Sequence, residues 1–133
     1  EVASGGEISR LMLSLKALIA HAMALPSIVF DEVDTGVSGE IADKMAGIMR
    51  EMAECMQVIS ITHLPQVASL GQTHYRVYKS DTETSTATHL IKLSEKERIE
   101  EIARMLSGSS LTAAALDNAR ELLKRNDLKD GNK

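Results

Sequence analysis

Ser27-Ile28-Val29-Phe30-Asp31-Glu32 is a short, β-rich apolar run that stops abruptly in two acids. A run of this length without polar alternation fits a strand of a parallel sheet with both faces covered. Gln57-Val58-Ile59-Ser60-Ile61-Thr62 repeats the pattern further along, and His63 follows it directly. Between the two runs lie a turn with Gly36 and Gly39 and then Ile41, Met45, Ile48, Met49 and Met52, spaced to share one helix face. Strand, helix and strand over this length close a parallel crossover. Ligands of open α/β folds gather at the carboxyl ends of such strands. Asp31, Glu32 and His63 therefore fall on one chemically active sheet edge.

Upstream, Ser4-Gly5-Gly6-Glu7 has the S-x-x-E form of a capping box, and Ile8, Leu11, Met12, Leu15, Ile19 and Met23 recur at helical spacing. The spacing predicts a helix from about Glu7 to Met23, ended by Pro26. Downstream, a short helix is expected over Gln66–Leu70. Thr73–Ser80 and Thr84–Lys92 read as a hairpin at the sheet edge, with Asp81, Thr82 and Glu83 near its turn. Ser94-Glu95-Lys96-Glu97 is a second capping box, opening a helix with Ile99, Ile102, Ala103 and Leu106 that Gly108 ends. A last helix is expected from Thr112 to about Arg125, followed by a polar, frayed tail over residues 126–133.

The chain has 133 residues, of which 44% are hydrophobic and 2% aromatic. One domain with a core of Leu, Ile, Val, Ala and Met follows, and a disordered chain is excluded. Cys55 is the sole cysteine, so no internal disulfide forms, which fits a reducing, cytoplasmic setting. No apolar run reaches the length of a membrane span, so no membrane partner is expected. The net charge of −4 and the lack of a Lys/Arg run argue against strong DNA contacts by this chain itself. The sequence opens at Glu1 with a motif almost at once, and its N-terminus is read as a cut.

The chemistry follows from residue type and place. An acid just after a buried strand suits Mg²⁺, which prefers hard oxygens and keeps much of its water, so Asp31 is the metal candidate. Glu32 beside it could orient or deprotonate a water that attacks a terminal phosphate, the work of a general base. An imidazole N–H of His63 matches a γ-phosphate oxygen or helps place that water. Ser4, Gly5 and Gly6 at a helix start offer free N–H groups, a hydroxyl and the positive end of the helix dipole to a phosphate. Each feature also has a plain reading: a helix cap, a strand-to-loop transition, a turn histidine. Their order and spacing together favour a nucleotide hydrolase. Gly36-Val37-Ser38-Gly39 is no nucleophile elbow, because Glu40 stands where glycine is needed. The histidines at 21, 63, 74 and 89 and Cys55 lack zinc-ligand spacing.

These strings resemble the ATP-binding cassette ATPases and, within them, the RecN family, relatives of the SMC proteins. Ser4-Gly5-Gly6-Glu7 is similar to the cassette signature, Ile28–Glu32 to Walker B, residues 33–39 to the D-loop and His63 to the switch histidine. The RecN likeness lies in Asp31-Glu32-Val33-Asp34-Thr35-Gly36-Val37-Ser38-Gly39, Ile61-Thr62-His63-Leu64-Pro65-Gln66-Val67-Ala68 and Glu100-Glu101-Ile102-Ala103-Arg104-Met105-Leu106. It extends from Ala3, where many signatures carry Leu, to about Lys124.

The resemblance implies an α/β fold: the C-terminal lobe of an ABC/SMC-type P-loop NTPase head, with a parallel β core, flanking helices and a β-hairpin at the edge. Residues 1–125 would form this lobe. ATP and Mg²⁺ are the implied cofactors. Asp31, Glu32 and His63 would serve the nucleotide of their own head. Ser4, Gly5, Gly6 and Glu7 would serve that of a second head in a homodimer, with Asp34 crossing the interface. No glycine here precedes a lysine, so the phosphate loop (Walker A) is absent and is expected from the N-terminal half of the same head. The chain alone is then inactive and exposes apolar surface that favours self-association. The implied role is ATP hydrolysis coupled to DNA double-strand break repair and recombination, in bacterial cytoplasm at the nucleoid. A head-like docking module without hydrolysis, or the head of another SMC-type or cassette ATPase, is the alternative.

Overall fold

The computed structural model describes residues 4–82, 84–108 and 110–130. Ala3, Glu83 and residues 131–133, which carried parts of the sequence reading, lie outside them. The chain divides into two compact units, Glu1–Leu70 and Gly71–Lys133.

The first unit contains α1 (Gly5–Ala22), β1 (Ser27–Asp31), α2 (Gly39–Ala53), β2 (Gln57–Ile61) and the single turn α3 (Pro65–Ala68). Strands β1 and β2 pair in parallel, Ser27 opposite Gln57 through Asp31 opposite Ile61, so both carboxyl ends finish level. The crossover read from the sequence is present. Helix α2 buries Ala42, Met45, Ala46, Met49 and Met52, and the core continues through Leu13, Ala20, Phe30, Val37 and Val67.

The expectation of strands covered on both faces fails. Ile28, Phe30 and Val58 face the helices, whereas Val29 is 59% exposed, and Ile59 and Ile61 are exposed beside it. Only one side of the two-stranded sheet meets a helix layer within this unit. Helix α1 also turns its apolar stripe outward. A helix of this kind ordinarily directs such a stripe to the core. Here Ile8, Leu11, Met12, Leu15, Ile19 and Met23 are exposed, and Gly6, Leu13 and Ala20, seven residues apart, make the buried seam.

Helix α1 ends before Pro26, on a Schellman turn: Leu25 N–H reaches Ala20 O at 3.1 Å and Ala24 N–H reaches His21 O at 3.0 Å. Ala24 takes the left-handed position with φ 50°.

The second unit contains β3 (Tyr75–Asp81), β4 (Thr86–Lys92), α4 (Glu95–Ser107) and α5 (Ala113–Asp130). The hairpin read from the sequence forms a two-stranded antiparallel sheet, Tyr75 opposite Lys92 through Asp81 opposite Thr86. The second capping box is realised in full, Ser94 and Glu97 bonding each other's backbone. Helices α4 and α5 bury Ile102, Ala103, Ala115 and Ala119. Helix α5 runs on to Asp130, past the end expected near Arg125. No helix breaker occurs there, Asn126 is buried, and burial lowers the pKa of Arg98 while the Asp127 carboxylate opposes that shift in part.

Candidate functional site

Strand β1 delivers Asp31 and Glu32 to the level at which β2 delivers Thr62 and His63, because the two strands are in register and end together. Asp31, Glu32 and His63 are all exposed at this carboxyl edge. Among the described residues no group of three His, Cys, Asp or Glu side chains is arranged to hold a metal by itself.

Glu32 sits in the left-handed region, with φ 49°. For a glutamate that backbone costs about 1–2 kcal/mol and persists only when its surroundings enforce it. Three bonds do so: Glu32 N–H donates to Ile61 O at 2.9 Å, and Thr35 donates to Glu32 O from its N–H at 3.3 Å and its Oγ1 at 2.9 Å. The bond to Ile61 carries the β1–β2 ladder one residue past the strand, so Glu32 is tied to the strand end that presents His63. Strain of this kind has no sequence signal, since glutamate has no preference for positive φ.

Asp34, for which the family resemblance implies a role across a dimer interface, is 1% exposed within its own chain. Thr62 Oγ1 donates to Asp34 Oδ2. Thr62 Oγ1 in turn accepts from Leu64 N–H at 3.0 Å. Asp34 Oδ1 is buried without a hydrogen-bond partner, and His63 Nδ1 lies 4.0 Å away. The loop after β1 and the loop after β2 are thereby joined through a buried carboxylate. The sequence signal was a Thr-His pair at a strand end and an acid three residues beyond Asp31, and the join needs the parallel register to become visible.

The serine-glycine tip divides into distinct parts. Ser4 is exposed and caps α1, its Oγ accepting from Glu7 N–H at 3.2 Å while Glu7 Oε2 accepts from Ser4 N–H at 2.8 Å. The helix cap weighed in the sequence is thus real. Gly5 is exposed, and a Cβ there would meet nothing within 4 Å. Gly6 is buried, and a Cβ would come within 3.2 Å of Ile41 Cδ1. Ser4 and Gly5 remain accessible to a ligand, whereas Gly6 lets α1 approach α2 closely.

A solved structure concerned with ATP-driven dimerization and DNA-stimulated activation of SMC ATPases matches the fold with a TM-score of 0.64 at 18% identity, covering 82% of this chain and 65% of that one. The chain therefore shares its fold with that structure. No family model matches the sequence. DNA repair protein RecN of Rickettsia conorii (strain ATCC VR-613 / Malish 7) is 46% identical over 123 residues, 92% of this chain and 23% of the relative. RecN of Vibrio cholerae serotype O1 is 44% identical over the same length, and RecN of Haemophilus influenzae 42%, each with 22% of the relative covered. The chain is thus similar to RecN proteins over most of its own length, matching a C-terminal portion of them. It spans less than a quarter of the length of the curated relatives it matches.

Proposed function

We propose that this chain is the hydrolysis-bearing C-terminal lobe of the ATPase head of a RecN-like protein. It contributes the signature (Ser4, Gly5, Gly6, Glu7) and Walker B (Asp31, Glu32) to ATP-driven head dimerisation and to ATP hydrolysis in DNA repair. The observation that carries this reading is the exposed Glu32 at the carboxyl end of β1. Its backbone is held in a strained conformation and tied to the strand that ends in His63. Strained backbone clusters where geometry serves chemistry.

Glu32 would act as the general base or water-orienting group, with His63 aligned beside it on the γ-phosphate side. Asp31 suits Mg²⁺. That ion takes one or two carboxylates and completes its shell with water and phosphate oxygens, so an exposed strand-end acid meets its needs without an all-protein cage. When bound, it would supply charge neutralisation on the phosphates. Ser4 and Gly5 would face a phosphate held by a second head, at a helix N-terminus whose dipole favours an anion. The phosphate loop would come from the N-terminal half of the same head, and DNA would be engaged mainly by other parts of the protein.

The test is ATP turnover by the full-length protein carrying Glu32→Gln. The substitution keeps size and shape but removes the base, so turnover falls by about 10²-fold or more while ATP binding is retained. Near-normal turnover would remove Glu32 from the mechanism. That result would favour a head-like docking module.

A further inference from the structure

We propose that Asp34 is a positioning residue for His63. Its buried carboxylate, clamped by the Thr62 hydroxyl, receives the Nδ1 side of the imidazole and so fixes which ring nitrogen faces the nucleotide. The inference rests on the proposed place of His63 beside the γ-phosphate, and it assigns Asp34 a task within its own chain.

Asp34 is 1% exposed, and a buried carboxylate is costly unless its oxygens are satisfied. One oxygen is satisfied in a directed way. Thr62 Oγ1 accepts from Leu64 N–H, and its single proton goes to Asp34 Oδ2. The other oxygen, Oδ1, is buried and has no hydrogen-bond partner. The nearby group able to satisfy it is His63 Nδ1 at 4.0 Å, on a side chain that is 58% exposed. A hydrogen bond there requires the ring to approach by about 1 Å.

With Nδ1–H given to Asp34, the ring is no longer free to turn, and a neutral imidazole presents Nε2 outward as an acceptor, the state that takes a hydrogen bond from the attacking water and does not donate to a phosphate oxygen. A carboxylate behind a histidine sets tautomer and orientation in this way in hydrolytic and metal sites. The same carboxylate spans the loops after β1 and β2, so the placement of His63 is coupled to the loop that carries Glu32.

The experiment is a double-mutant cycle on ATP hydrolysis by the full-length protein, with Asp34→Asn, His63→Ala and the pair, alongside Thr62→Ser and Thr62→Val. In Asp34→Asn the amide oxygen stays on the Thr62 hydroxyl and the NH₂ faces Nδ1, which forces the opposite tautomer. The expected result is a kcat lowered about 10- to 100-fold at unchanged KM for ATP. The double variant is then no slower than His63→Ala alone, because both changes remove one function. Thr62→Ser stays near wild type and Thr62→Val loses activity.

Effects of Asp34→Asn and His63→Ala that multiply in the double variant would show a merely structural or separate role and overturn the inference. Wild-type turnover by Asp34→Asn would do the same. Should Asp34→Asn fail to fold, equal activity of Thr62→Ser and Thr62→Val overturns it instead. Failure here leaves the Glu32→Gln result intact, so the inference and the proposed function are judged separately.

Discussion

At Glu32 a strained backbone coincides with the proposed catalytic group. Its φ of 49° is unfavourable for any side chain but tolerable for glycine, and the bonds to Ile61 and Thr35 hold it there. Glu32→Gly is therefore expected to raise unfolding stability by about 1 kcal/mol while abolishing hydrolysis. Chemical denaturation beside an ATPase assay checks both halves, and a destabilised variant would show that the glutamate side chain itself supports the fold. The residue types of the site were legible in the sequence, because acids after an apolar run and a histidine after another mark strand ends. Their coupling was not. Asp34, Thr62 and His63 meet only once the parallel register is known, and the two neighbouring glycines Gly5 and Gly6 separate into exposed and buried only once α1 packs on α2.

At the scale of elements, period and punctuation in the sequence located the helices and strands of the described residues, because 3.6- and 2-residue repeats and capping boxes are local signals. What they missed were ends and faces. Helix α1 stops at a Schellman turn whose left-handed position is filled by Ala24 in place of the usual glycine, so only Pro26 announced the stop. Ala24→Gly should stabilise the protein by about 1 kcal/mol, read as a rise in melting temperature. An unchanged or lower value would mean that the alanine methyl compensates by packing. In the second unit, His74 stands just before β3, with Nδ1 buried and lacking a hydrogen-bond partner. Burial, and then the positive charge of Arg98, hold its pKa below the ordinary value of 6.5, against a smaller opposing pull from Glu101. The unfolded chain therefore takes up a proton at higher pH than the folded one. The stability tied to neutral His74 is fully present above the ordinary imidazole range and is lost as pH falls below it toward the depressed value. Melting curves between about pH 7.5 and about pH 5.5 should show this acid loss, and His74→Gln should flatten it. An identical pH profile in the variant would assign the loss to other groups.

Over the whole molecule, apolar surface is exposed where the composition of the strands and of α1 would have it covered. The strands have the composition of a sheet covered on both faces, and α1 carries a stripe of Leu, Ile and Met, but each meets a helix layer on one side only. Patterning reports what a segment is built to contact and cannot say whether the contacting layer belongs to the same stretch of chain. That surface is the physical basis for the self-association expected of the chain by itself. It also fits a lobe that works beside another carrying a phosphate loop, since no such loop occurs in these 133 residues. The most direct test is phosphate release from ATP and Mg²⁺ by this chain alone and after co-assembly with the N-terminal half of a RecN-like head. The account predicts release from the assembly only, lost when this chain carries Glu32→Gln. Release by the chain alone, or equal release with and without that substitution, would contradict it.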